Sequence, residues 1–184
     1  MKNAIILHGT GDSADNFWFP YVKKELESRG YDVWLPNLPC AEKPNIKDWL
    51  SFVLESGKIT EETVLIGHSA GAQIILSVLE NLNIKIKQAI LVSGYSKELP
   101  KDVNSEMNKY EFNWESIRPH AGKFAFVNSD NDPWGCDDKQ GRIMFDHLGG
   151  MQIILHEGHM GSNKFNQPYK EFPLIVKLVE LGEI

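Results

Sequence analysis

The feature that most restricts the fold of this chain is the pentapeptide Gly67-His68-Ser69-Ala70-Gly71. It lies between a β-branched run, Thr63-Val64-Leu65-Ile66, and a helix-like stretch from Gln73 to Leu79. Gly-x-Ser-x-Gly between a strand and a helix describes a sharp turn that holds the serine in a strained backbone conformation, with Oγ above the end of a sheet. A side chain at either glycine would strike the strand or the helix. The helix opening at Ala70 aims unpaired amides at the site, and the Ala70 N–H is placed to stabilise a developing oxyanion.

The rest of the chain agrees with such a turn. Strand-like runs occur at Ala4–Leu7, Tyr31–Leu35, Thr63–Ile66, Gln88–Val92, Lys123–Val127 and Met151–Leu155. They lack strict alternation, as strands buried on both faces do. Segments of helical spacing lie at Phe19–Ser28, Ile46–Glu55, Ala70–Glu80, Asp137–Leu148 and Tyr169–Leu181. This alternation predicts a compact α/β fold, an approximately six-stranded parallel sheet with helices on both faces. With 184 residues, 42% of them hydrophobic, the chain suits a single domain over residues 1–184. Ser93–Gly122 has no obvious element and is expected to be functional or partly helical. Its 30 residues are too few for a lid domain, and Lys97, Glu98, Lys101, Asp102, Glu106, Lys109 and Glu111 make it a mostly solvated stretch.

Composition removes several function classes. The 19 basic and 25 acidic residues give a net charge of −6 without long like-charge blocks, so no nucleic-acid footprint is present. The apolar runs are far shorter than the roughly 20 residues a membrane span needs. The strand starting at Ala4 leaves no room for a signal peptide, so cytoplasmic residence is expected. Cys40 and Cys136 are isolated and without metal-ligand spacing, which predicts reduced thiols, no disulfide and no metal site.

A serine nucleophile needs a base, and the base needs an orienting carboxylate. Where a serine sits on this kind of turn, the chain order is Ser, then Asp or Glu, then His. Asn128-Ser129-Asp130-Asn131-Asp132-Pro133-Trp134-Gly135 follows the fifth strand, and His156-Glu157-Gly158-His159-Met160-Gly161 follows the sixth. Both loops fall at carboxyl ends of strands, where open α/β sheets carry their sites. Asp132 precedes Pro133, which favours an extended backbone and a fixed carboxylate direction; Asp130 competes with it. His159, beside Gly158 and clear of the strand end, can turn back over the sheet; His156 is its competitor. A zinc site of the His-Glu-x-x-His type needs histidines four apart on a helix, whereas His156 and His159 are three apart in a glycine-bearing loop.

The second oxyanion donor is expected from His8-Gly9-Thr10-Gly11-Asp12 after the first strand, and is assigned to the Thr10 amide. Gly9-x-Gly11-x-x-Ala14 also fits a relaxed dinucleotide fingerprint. That reading requires an acid at the end of the second strand, where Leu35-Pro36-Asn37 stands, so no cofactor is expected.

Val64-Leu65-Ile66-Gly67-His68-Ser69-Ala70-Gly71-Ala72, Trp114-Glu115-x-Ile117, Asp132-Pro133 and Gly158-His159 together resemble the small α/β-hydrolases grouped with retinoblastoma-binding protein nine and its bacterial relatives. The similarity in order and spacing runs from about Asn3 to Leu181. It implies catalytic roles for Ser69, Asp132 and His159, and a sheet lacking the first two strands of larger hydrolases. Leu38-Pro39-Cys40-Ala41-Glu42 formally fits the Leu-x-Cys-x-Glu pattern that gave the family its name, but Pro36 and Pro39 make it a turn-rich connecting loop near the site rim. A small-molecule acyl substrate is expected, with Trp134 and the Phe17-Trp18-Phe19 aromatics as candidate pocket walls or core. Whether a protein partner exists is left open, as is the opposing view of the chain as a binding module with hydrolase architecture.

Overall fold

The computed structural model describes residues 1–99, 106–107 and 111–183. Its six strands are β1 (Asn3–Leu7), β2 (Asp32–Trp34), β3 (Thr63–His68), β4 (Ile86–Val92), β5 (Ala121–Ser129) and β6 (Met151–Leu155). All neighbouring pairs are parallel, in the order β2-β1-β3-β4-β5-β6. The helices are α1 (Phe19–Glu27), α2 (Ile46–Leu54), α3 (Ala70–Asn81), the short α4 (Trp114–Ile117) running into a 3-10 turn (Arg118–His120), α5 (Asp138–Leu148) and α6 (Pro173–Gly182).

The period of two along each strand assigns its residues to two cores. Ile5, Leu7, Leu65, Leu91 and Phe126 face α2, α3, α4 and α5, with Trp49 fully buried on that side. Ala4, Ile6, Val64, Ile66, Ile90 and Val127 face α1 and α6. Helices therefore cover both faces, as the mixed apolar runs predict. The exception is β6. As an edge strand it leaves Met151 and Ile154 about half exposed, so its apolar sequence does not signal burial on both faces.

One helix limit departs clearly from the sequence reading, for an identifiable reason. Asn45 and Asp137 cap α2 and α5 by accepting hydrogen bonds from the first-turn amides, close to the expected starts. By contrast α6 begins only at Pro173, since Tyr169 has φ +35° and proline is suited to the first helical position. In Ser93–Gly122 the described part is partly helical. Lys97, Glu98, Glu106 and Glu111 are exposed, but Tyr95, Met107 and Phe112 are buried. Lys101, Asp102 and Lys109 lie outside the described residues.

The sheet order sets the location of a site. The chain leaves β1 for β2 at the edge and returns to place β3 on the other side of β1, so the loops after β1 and β3 diverge to opposite faces. Such a switch point opens a crevice at the carboxyl ends of the strands. The crossing of α3 over β1 beside that crevice is very close: a Cβ on Gly71 would collide with the backbone oxygens of Leu7 and His8. One on Gly67 would lie 2.6 Å from the Gly71 oxygen and 2.7 Å from Ala72 N. Gly71→Ala should therefore lower stability by about 1–3 kcal/mol, as overpacking does, measured by chemical denaturation. A change below about 0.5 kcal/mol, the ordinary surface range, would contradict this close approach.

Candidate active site

Ser69 sits between β3 and α3 with φ +55° and ψ −119°, a region that a non-glycine residue occupies only when its surroundings enforce it. Its N–H donates to Val92 O at 2.9 Å, and its carbonyl accepts from the amides of Ala72 and Gln73. The strain follows from these bonds and from the two glycines that let α3 start so close to β1. Ala70 is the first residue of α3, so its amide is at the helix N-terminus next to Ser69. The loop after β1 packs against the same residue, with a Gly9 Cβ position 3.1 Å from Ser69 Cβ.

The two loops that offered alternatives each supply one member to two separate pairs. Asp132 Oδ2 accepts from His159 Nδ1 at 2.7 Å, with the Asp132 side chain fully covered and that of His159 7% exposed. Asp130 pairs with His156 at 2.6 Å, but those side chains are 52% and 78% exposed. Asp132 Oδ1 also accepts from the Trp134 amide at 2.8 Å, which fixes the carboxylate. The Nδ1–H···Oδ2 bond selects the tautomer of His159 in which Nε2 is the free acceptor.

The His159 loop is held from several sides. The Gly158 amide donates to Asn131 Oδ1, the His159 amide to Gln167 Oε1, and Trp18 Nε1 to Met160 O. His159 O accepts from both His68 Nε2 at 2.9 Å and Ser93 Oγ at 3.0 Å. Gly158, at φ +60°, lies so close to Gln167 that a Cβ would collide with its side chain.

Ser69 and His159 open into a cavity of about 340 Å³, lined also by Thr10, Asp12, Glu42, Tyr95, Trp134 and Lys164. Lys164 Nζ lies 4.6 Å from the Trp134 ring centroid. The expected oxyanion residue Thr10 is thus on the wall of the cavity that holds Ser69. Among the described residues no hydrogen bond joins Ser69 Oγ to His159. Trp18 and its neighbours Phe17 and Phe19 are buried around His68 and belong to the core; of the aromatics singled out in the sequence, Trp134 reaches the cavity.

Several features were not visible in the sequence. Cys136, read there as an isolated thiol, is buried beside the site. Its Sγ, an Asp132 oxygen and a His159 ring nitrogen all lie within 4.8 Å of one another. That donor set could in principle hold a soft divalent ion. Here the carboxylate already accepts from Nδ1 of His159, and burial, followed by the nearby Asp132 and Asp137, pushes the Cys136 thiol well up, which keeps it protonated. His8 and His68 are buried, and burial lowers both from the usual histidine value, His68 to about 3. Asp12 is shifted oppositely, its carboxyl pushed up to about 7, chiefly by burial.

The glycines after β1 do not open a helix, since α1 begins only at Phe19, and they offer no phosphate-binding helix end. Leu38 is buried and Glu42 faces the cavity, so Leu38–Glu42 is a rim loop rather than an extended accessible peptide. Among the described residues no helix is long and apolar enough to cross a membrane.

The chain matches the serine hydrolase family over residues 4–180. It belongs to that family. The Bacillus subtilis (strain 168) protein YdeN is 34% identical over 135 residues, 71% of either chain. The serine hydrolase RBBP9 of Rattus norvegicus is 28% identical over 168 residues, 87% of either chain. The crystal structure of the B. subtilis ydeN gene product superposes with a TM-score of 0.89 at 26% identity, covering 99% of this chain and 98% of that one. Est1E from Butyrivibrio proteoclasticus, solved with ferulic acid, shares the fold at a TM-score of 0.68 and 14% identity, over 98% of this chain and 87% of that one. This serine hydrolase is thus a small α/β-hydrolase of one domain, without an inserted cap among its described residues.

The two thiols of the hydrolase differ sharply in surroundings, Cys40 being exposed and Cys136 buried. With a disulfide exchange reagent, one equivalent should react quickly and the second only on unfolding. Two fast equivalents would show that the cavity wall opens in solution.

Proposed function

We propose that this serine hydrolase is a carboxylesterase for small acyl esters, acting through an acyl-enzyme on Ser69. The observation that carries the reading is the buried Asp132–His159 pair in the cavity region that exposes the strained Ser69. Nε2 of His159 takes the Ser69 proton as Oγ attacks the ester carbonyl, and Asp132 stabilises the imidazolium that forms. The amides of Thr10 and Ala70 donate to the oxyanion, and His159 returns the proton to the leaving alcohol. Water, activated by the same base, then releases the acid and restores Ser69. The two free cysteines fit a reducing compartment such as the cytoplasm.

The exposed Asp130–His156 pair provides an internal control. Ser69→Ala or His159→Ala should lower kcat/KM by about 10³-fold or more, because members of such a set act as a unit. His156→Ala should change it by less than twofold, and Asp132→Asn should lose far more than Asp130→Asn. Stable labelling of Ser69 by a fluorophosphonate supports the enzyme, whereas folded protein that resists labelling indicates a binding module. On the acid side, kcat/KM should rise from pH 5 toward neutrality, because an imidazole, with a reference pKa of about 6.5, accepts a proton only when neutral.

Substrate size follows from the cavity. Its volume of about 340 Å³ is at the low end for ligand sites, and Tyr95 and Trp134 form part of the wall. Each buried methylene adds about 0.8 kcal/mol only while there is room for it. Across a series of p-nitrophenyl esters, kcat/KM should therefore peak at short acyl chains. A steady rise through long chains, with activation by micelles, would contradict this assignment.

A further inference from the structure

Asp12 has no step in the acyl transfer above, yet it lines the same cavity as Thr10, Ser69 and His159. It packs over Gly9, whose Cβ position is 3.1 Å from Asp12 Oδ2 and also 3.1 Å from Ser69 Cβ. Oδ2 also lies 4.0 Å from Nδ1 of His68, the residue preceding the nucleophile.

The state of His68 is fixed by its partners. Its Nε2 faces the carbonyl oxygen of His159 at 2.9 Å, so that nitrogen must carry a proton and donate. The ring is fully buried and held neutral, chiefly by desolvation. In a neutral ring with hydrogen on Nε2, Nδ1 is a bare acceptor. This acceptor is buried without a hydrogen-bond partner among the described residues, and the group facing it is the Asp12 carboxyl. An ionised carboxylate offers Nδ1 no donor; a protonated one does.

We propose that Asp12 is a positioning residue that works as a neutral carboxylic acid. Its proton is directed at His68 Nδ1, and a small rotation of the carboxyl that closes the 4.0 Å separation ties the oxyanion loop to the nucleophile strand; its ionisation suppresses hydrolysis by placing a negative charge beside the forming oxyanion. The inference rests on the acyl-hydrolysis reading of the same site.

The surroundings favour the acid form at neutrality. From the loop after β6, protonated His159 favours the carboxylate, and the Gly9 backbone from the loop after β1 does the same. Against them stand burial, the largest influence, and Glu42 from the loop after β2. His68 on β3 and His8 after β1 are kept neutral by burial and supply no compensating charge. The carboxyl, displaced to about 7, loses its proton as pH rises through neutrality. The donor to His68 then disappears and an anion replaces it, so the rate falls on the alkaline side. The need for a base that can accept the serine proton sets the acid limb, and the two together make a bell.

The test is the pH profile of kcat/KM for a short acyl ester from pH 5 to 9.5. Wild-type enzyme should lose at least fivefold between its maximum and pH 9. Asp12→Asn keeps a donor for His68 but cannot ionise, so it should retain the acid limb and show a plateau in place of the alkaline fall. An alkaline limb that persists in Asp12→Asn, or a wild-type profile flat from pH 7 to 9, overturns the proposal. Carbon-13 NMR of the wild-type aspartate carboxyls gives a readout independent of turnover and of whether the variant folds. A carboxyl titrating with a midpoint between pH 6 and 8 is expected. The absence of any such resonance overturns the proposal even if no ester proves to be a substrate, whereas a fluorophosphonate-inert Ser69 with that titration intact overturns only the acyl-hydrolysis reading.

Discussion

The contact between the start of α3 and the end of β1 is the constraint on which the rest of the structure depends. The carbonyl oxygens of Leu7 and His8 occupy the space that a side chain at residue 71 would need. Only with hydrogen atoms at positions 67 and 71 can the helix begin within one residue of the strand, and this forces Ser69 into its left-handed conformation. Backbone strain here is the result of close packing, supported by hydrogen bonds on both sides of the serine. The same approach brings the loop after β1 against Ser69 and so forms one wall of the cavity.

The carboxyl groups at the carboxyl edge of the sheet differ in the donors that surround them. Asp132 is covered but has two donors, the His159 ring and the Trp134 amide, and an ionised carboxylate can use both. Asp12 has a backbone contact and a neutral imidazole, and burial prevails. The two aspartates thus differ in the number of donors each can reach. The exposed Asp130–His156 pair shows that a short carboxylate–imidazole distance is by itself uninformative, since in water such a pair contributes little.

Much of this architecture was legible in the sequence because it depends on local pattern. The six strands, the turn at Ser69 and the helix starts near Ile46 and Asp137 all follow from neighbouring residues. What was not legible depends on position in the sheet or on distant contacts. The apolar run Met151–Leu155 reads the same whether the strand is central or at the edge, and only the sheet order shows that one side is open. Asp132 and Asp130 could be ranked by the proline that follows, but their burial is set by loops from elsewhere in the chain. Cys136 and Asp12 were in plain view as residues; their placement beside Ser69 arises from the convergence of three loops at the switch point.

The carbonyl of His159 accepts from His68 and Ser93, residues at the ends of the two central strands β3 and β4. The segment bearing the base is therefore fastened by its own main chain to the most protected part of the molecule, although by sequence it is a loop. Local opening needs a region with few ties to the core, and this one has several. On warming, the base and the central sheet form one cooperative unit, and catalytic competence and tertiary structure disappear together.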